Sequence, residues 1–182
     1  MVRRAIAAFF LCLAVSGICL ANLPRLLETQ TAYFAQTEKY FEYPILLRTS
    51  IAAIRRDSFG KGFFGASRDG GRTHEGVDLT VDVRMPIFAA KSGRILFAGQ
   101  GKGYGKYIEI AHPDGRSTRY AHLSEICCRQ GDWAGRGQVI GVSGTTGNAA
   151  NPRIRPHLHF EIREQGKPLD PAGWMDPAVR MK

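Results

Sequence analysis

From Phe59 onward, apolar and polar positions alternate in short runs, each closed by glycine or by a proline–glycine turn. Period-two alternation suits a half-buried strand, whose successive side chains point to opposite faces of a sheet. The pattern predicts strands over residues 77–81, 87–90, 93–98, 107–111, 117–121, 139–142 and 158–163. His112-Pro113-Asp114-Gly115 predicts a hairpin between two of them, because proline presets φ and glycine accepts positive φ. No segment beyond Phe59 sustains a helical period. The expected fold is mainly β: an antiparallel sheet domain joined by hairpins, with a helical segment ahead of it.

Upstream the periodicity changes. Leu26-Leu27, Tyr33-Phe34 and Tyr40-Phe41 recur at a spacing of seven, which predicts an amphipathic helix with an aromatic stripe over residues 26–43. Pro24 and Pro44 bound it. Before it, Arg3-Arg4 precede an apolar run of 17 residues, 5–21, broken mildly by Ser16 and Gly17. This run reads as a signal peptide ending near Ala21, or as a retained N-terminal membrane anchor through residues 5–21. A lipoprotein reading is weaker, since Ile18 stands before Cys19. In either reading the rest of the chain is exported. The expected organisation is export segment 1–21, helical linker 22–56, β domain 57–172 and C-terminal tail 173–182, within the size of one well-packed domain.

Charge narrows the partners. The chain carries a net +9. Removing residues 1–21 leaves 23 basic against 16 acidic residues, about +7. A basic exported protein suits polyanionic surroundings such as cell-wall polymers or anionic lipid head groups. Nucleic acid is not expected as a partner, because the chain is exported and has no basic run. Of the four cysteines, two lie in the export segment and the others, Cys127-Cys128, are adjacent. Adjacent cysteines bridge each other only under strain, so buried thiols are expected.

The chemistry lies in the histidines. Four of the five fall in three clusters: His74-Glu75-Gly76-Val77-Asp78, Tyr120-Ala121-His122-Leu123 and His157-Leu158-His159. H-x-x-x-D with a distant H-x-H supplies three metal-binding side chains and leaves two spare imidazoles. Zinc with three protein ligands keeps a fourth position open for water, as a catalytic site requires. On a strand, His157 and His159 project from one face while Leu158 packs behind. The H-E-x-x-H motif of helical zinc peptidases does not apply: the fifth residue is Asp78, and Gly76-Val77 disfavour helix. Glu75 therefore reads as an exposed loop residue. His112, in the turn, is expected at the surface.

Taken in order, H-x-x-x-D, Y-x-H-L and H-L-H-F resemble the lysostaphin-type (LytM-like) zinc metallopeptidases of bacterial cell walls. Residues 71–79, 103–115, 131–141 and 156–163 resemble that family's first motif, central hairpin, glycine-rich turn and last strand, so the similarity spans about residues 57–172. The resemblance implies that His74, Asp78 and His159 bind zinc, and that His122 and His157 face the metal-bound water and the substrate carbonyl. It implies a zinc endopeptidase acting on peptidoglycan peptides in the periplasm or cell envelope. The alternatives are a catalytically silent adaptor or activator of another wall hydrolase, and a zinc peptidase acting on proteins. The chain departs from the family in a longer loop over residues 146–156 and in the stretch from Phe63-Phe64 to Arg72. Both are expected to shape the groove and thus the choice of substrate.

Overall fold

The computed structural model describes Thr29 and residues 31–34, 36–68 and 70–182. The export segment, 1–21, lies outside the described residues. The chain divides into two units, 1–37 and 38–182. In the first, helical backbone runs to Thr37 among the described residues. Tyr33 and Phe34 meet edge to face at 5.4 Å, and the Thr37 hydroxyl donates to the Tyr33 carbonyl at 2.8 Å. No helix among the described residues is long and apolar enough to cross a membrane.

The second unit is an antiparallel sheet of nine strands: β1 (Val77–Thr80), β2 (Pro86–Phe88), β3 (Gly93–Gly101), β4 (Gly105–Ala111), β5 (Arg116–Ile126), β6 (Trp133–Ala134), β7 (Val139–Ser143), β8 (His157–Glu164) and β9 (Lys167–Leu169). The hydrogen-bonded order is β6-β3-β4-β5-β7-β2, and β8 pairs with β5, β9 and β1. Each strand expected from the alternation is present. The 112–115 turn joins β4 to β5, with Gly115 at φ +83°. Two single-turn 3₁₀ helices are the remaining helical pieces of this unit among the described residues.

Strand β5 organises the sheet because it changes partner part-way. Residues 116–121 pair with β8, while residues 123–126 pair with β7. At the changeover Tyr120 opposes Ile108 and Leu123 opposes Lys106, so β5 spends one residue more than β4. The bulge centres on His122, whose φ is +66°. A bulge of this kind bends the strand and re-aims a side chain.

The core lies on one face, filled by Ile95, Ile108, Ile110, Tyr120, Leu123, Ile140, Leu158, Phe160 and Ile162. Strand β8 shows the division of labour. Leu158, Phe160 and Ile162 enter the core, and His157, His159 and Glu161 take the opposite face.

Four expectations are corrected. The segment expected as a helical linker leaves the helix after Thr37 and, from Glu38, builds into the β unit. Tertiary bonds override the heptad spacing there: the Glu38 carboxylate accepts from the Ser92 amide (2.7 Å) and hydroxyl (2.6 Å). Phe41 is 1% exposed and forms a bridge with Met175. Ile51–Ala52 pairs with Arg180–Met181, so residues expected as a tail close the same core. His112 is buried rather than superficial, with its ring nitrogens on the Ser92 carbonyl (3.0 Å) and the Thr118 hydroxyl (2.8 Å). Cys127 is exposed and Cys128 half-buried, both as free thiols; only the second packs against the core.

Candidate metal centre and active-site cleft

Adjacent strands bring the first and last histidine clusters together. His159 on β8 directly opposes Asp78 on β1, and His74 lies four residues before Asp78, at the strand's entry. The resulting contacts are short. His74 Nε2 is 3.0 Å from Asp78 Oδ1 and 3.0 Å from His159 Nδ1. His159 Nδ1 is 2.9 Å from the same oxygen. All three side chains are buried, and their donor atoms lie within 4.8 Å of one another. His157 Nε2 stands 3.9 Å from Asp78 Oδ1. His122 completes the group, its ring centroid 4.9 Å from His157 and 5.9 Å from His159. All five residues singled out in the sequence therefore line one cleft of about 640 Å³.

Each imidazole is oriented by a bond to its other nitrogen. His74 Nδ1 donates to the Phe63 carbonyl (2.8 Å), His122 Nδ1 to Thr146 (2.9 Å) and His157 Nδ1 to Arg155 (2.7 Å). Those three rings thus present Nε2 to the cleft. His159 is reversed, with Nε2 donating to Glu161 Oε1 at 2.9 Å and Nδ1 facing Asp78. Fixing the outer nitrogen fixes tautomer and aim, the usual second layer of a metal site. The inward set of two imidazole nitrogens and one carboxylate oxygen fits zinc.

Burial and neighbouring charge divide these groups. Burial, then the nearby His159 and His157 rings, push His122 down to about 3. Burial also lowers His157. Both rings are neutral near pH 7, free to accept a proton. For His159 burial works downward as well, but the bonds to Asp78 and Glu161 outweigh it and raise the ring to about 9. Asp78 is held well below the usual carboxylate range: the cost of burial is overcome by the His159 and His74 rings set against it.

Several residues around the cleft lie outside the set singled out in the sequence. Glu161, 0% exposed, also accepts from Tyr104 (2.7 Å) and from Arg163 (2.6 Å). Its signal was available, since it lies two residues after His159 on the same strand face. Arg55 and Arg68 both bind Asp78 Oδ2, and nothing in the alternation marks them. Glu75 is exposed as expected and pairs with Arg163 at 2.9 Å. The two segments expected to shape the groove, residues 146–156 and the stretch from Phe63-Phe64 to Arg72, both reach the cleft, the first through Asn148, Ala149 and Ile154 and the second through Arg68, Gly71 and Arg72.

Residues 72–171 match the family model of Peptidase family M23. This is more than half of the chain, which therefore belongs to that family. Among solved structures, the catalytic domain of lysostaphin from Staphylococcus simulans is similar, with a TM-score of 0.53 and 33% identity over 64% of this chain and 89% of that one. Among curated proteins, the DD-carboxypeptidase/endopeptidase Mpg of Neisseria meningitidis serogroup B is 41% identical over 55% of this chain and 22% of its own length. The murein hydrolase activator NlpD of Escherichia coli is 34% identical over 70% of this chain and 32% of its own. The chain spans about a third or less of the length of these curated relatives.

Proposed function

We propose that the chain is an exported zinc endopeptidase that hydrolyses peptide bonds in peptidoglycan, with His74, Asp78 and His159 as metal ligands. The observation that carries this reading is the convergence of a complete N/O donor set with two further neutral imidazoles in one cleft. Bound zinc would lower the pKa of a coordinated water and polarise the scissile carbonyl. His122 and His157 act beside it, their Nε2 atoms turned inward by bonds from Nδ1 to backbone carbonyls. A neutral imidazole there takes the attacking water's proton. That ring, once it carries the water's proton, is the cation beside the oxyanion as charge builds there, and the other imidazole helps to position the substrate carbonyl. The basic balance of the chain suits the anionic envelope.

A second reading, an activator of another wall hydrolase, is favoured by the likeness to a protein named as an activator over 70% of the chain. Against it stands the intact donor set. Both are tested by incubating residues 22–182 with purified muropeptides, with and without a chelator, and resolving the products by mass spectrometry. Chelator-sensitive cleavage is the expected result. Absence of products, together with enhanced digestion by an added wall hydrolase, would establish the activator reading instead.

A further inference from the structure

The carboxylate of Asp78 is used asymmetrically. Oδ1 faces the imidazoles, whereas Oδ2 takes three guanidinium contacts: Arg55 Nη2 at 2.9 Å, Arg55 Nε at 3.2 Å and Arg68 Nη2 at 3.0 Å. Arg55 is 5% exposed and is itself held, because its Nη1 donates to Asp57 Oδ1 at 2.6 Å. Asp57 in turn accepts from the backbone amides of Phe59 (2.9 Å) and Arg155 (3.1 Å), the latter two residues ahead of His157. Arg68 is anchored through its Nη1 on the Lys61 carbonyl at 2.8 Å.

The backbone repeats the arrangement. The Arg55 amide donates to the Asp78 carbonyl, the Asp78 amide to the Gly62 carbonyl and the Gly62 amide to the Arg55 carbonyl, each at 2.8 Å. Ile54 bridges Leu79. Residue 62 must be glycine for this fit, since a Cβ there would stand 2.8 Å from Asp78 Cβ. Residues 54–68 thus lie along the open edge of β1 and grip one side chain at its outer oxygen. Both arginines precede residue 72, where the family match begins.

We propose that Arg55 and Arg68 are positioning residues that reserve Oδ1 of Asp78 as that side chain's single metal donor. A forked guanidinium matches a carboxylate geometrically and is always charged. With Oδ2 occupied twice over, the carboxylate cannot swing to offer both oxygens, and the coordination position needed by water stays open. This inference rests on the metal reading above and goes beyond it by assigning the strap ahead of the family domain a part in the site.

The test uses cobalt(II) as a visible probe in the full exported chain and in Arg55→Met and Arg68→Met. The parent is expected to show the intense visible bands of a low-coordinate cobalt site. In each variant the bands should weaken severalfold as Oδ2 joins as an extra donor, or disappear if Asp78 turns away in a protein that remains folded by circular dichroism. Bands that superimpose on the parent's, in variants whose melting temperature alone falls, would show a purely structural role and overturn the proposal. Should Arg55→Met fail to fold, the partly exposed Arg68 decides by the same readout. A parent that takes up neither cobalt nor zinc removes the metal reading, and the proposal with it.

Discussion

Acidification should destabilise the β unit through His112, well away from the cleft. The ring is buried against the Ser92 carbonyl and the Thr118 hydroxyl, with the Phe41 ring edge-on at 5.3 Å. Asp114, Lys91 and Glu38 are the charged groups that act on it, and the Thr118 hydroxyl leads on to Tyr120. Burial is the dominant influence, and it lowers the ring from 6.5 to about 4. Between those values the unfolded chain binds a proton that the folded chain refuses. Stability is therefore unaffected above about pH 6.5 and falls as pH drops toward 4. At about pH 4.5 the penalty amounts to roughly 2.5 kcal/mol, from about 1.4 kcal/mol for each unit of difference. Urea unfolding of the wild type and of His112→Gln at about pH 7.5 and 4.5 measures it. The variant should be less stable at the higher pH, by about 1–3 kcal/mol for the lost buried bonds, and that gap should close as the pH falls. Parallel pH profiles for the two proteins would refute the account.

Three further outcomes follow from the site and the core. His159→Ala should abolish stoichiometric zinc binding and cleavage together, read by metal analysis alongside the muropeptide assay; retained zinc would exclude His159 as a ligand. His122→Ala should keep its zinc yet lose about 10²–10⁴ in turnover. His122→Gly should be equally inactive but roughly 1 kcal/mol more stable than the alanine variant, because glycine adopts φ +66° without penalty; equal melting points would contradict strain at the bulge. Phe41→Ala should cost about 3–5 kcal/mol by chemical denaturation, the range for a fully buried aromatic, whereas a loss below about 1 kcal/mol would return residues 38–56 to the status of a linker.

Period two made the strands legible, and it also set where legibility stopped. Thr118 and Tyr120 are buried at even positions of β5, and the extra residue at His122 shifts the parity so that Leu123, an odd position, enters the core. Alternation read from residue 117 therefore breaks at 121, although the strand continues to Ile126. β3 outruns its expected end at residue 98 and carries a similar register shift between Ile95 and Phe97. The helix expected over 26–43 stops at Thr37 for a different reason. Its spacing of seven runs on through Tyr40-Phe41, but Phe41 is claimed by Met175, a partner more than a hundred residues away that no local pattern reveals. Turn residues are usually solvated, which is why a surface position is expected of His112, yet it opens the turn at the end of β4 and its ring folds back onto the Ser92 carbonyl.

The site divides along the same line, between residues chosen for their chemistry and residues chosen only for their place. Imidazoles and carboxylates are rare enough, and specific enough, for their order along the chain to announce them. The groups that aim them leave no such trace. The outward nitrogens of His74, His122 and His157 end on the carbonyls of Phe63, Thr146 and Arg155, and any residue type supplies a carbonyl. What those positions require is a backbone path, set by Gly62 beside Asp78 and by Gly147, at φ +66°, where a side chain would run into the backbone of Gly103 and Gly105. Inserting or deleting a single residue between Gly147 and Arg155 should therefore impair turnover through His122 and His157 while leaving the proposed ligands His74, Asp78 and His159 able to hold zinc. Loss of zinc from such loop variants would show instead that the loop supports the metal directly.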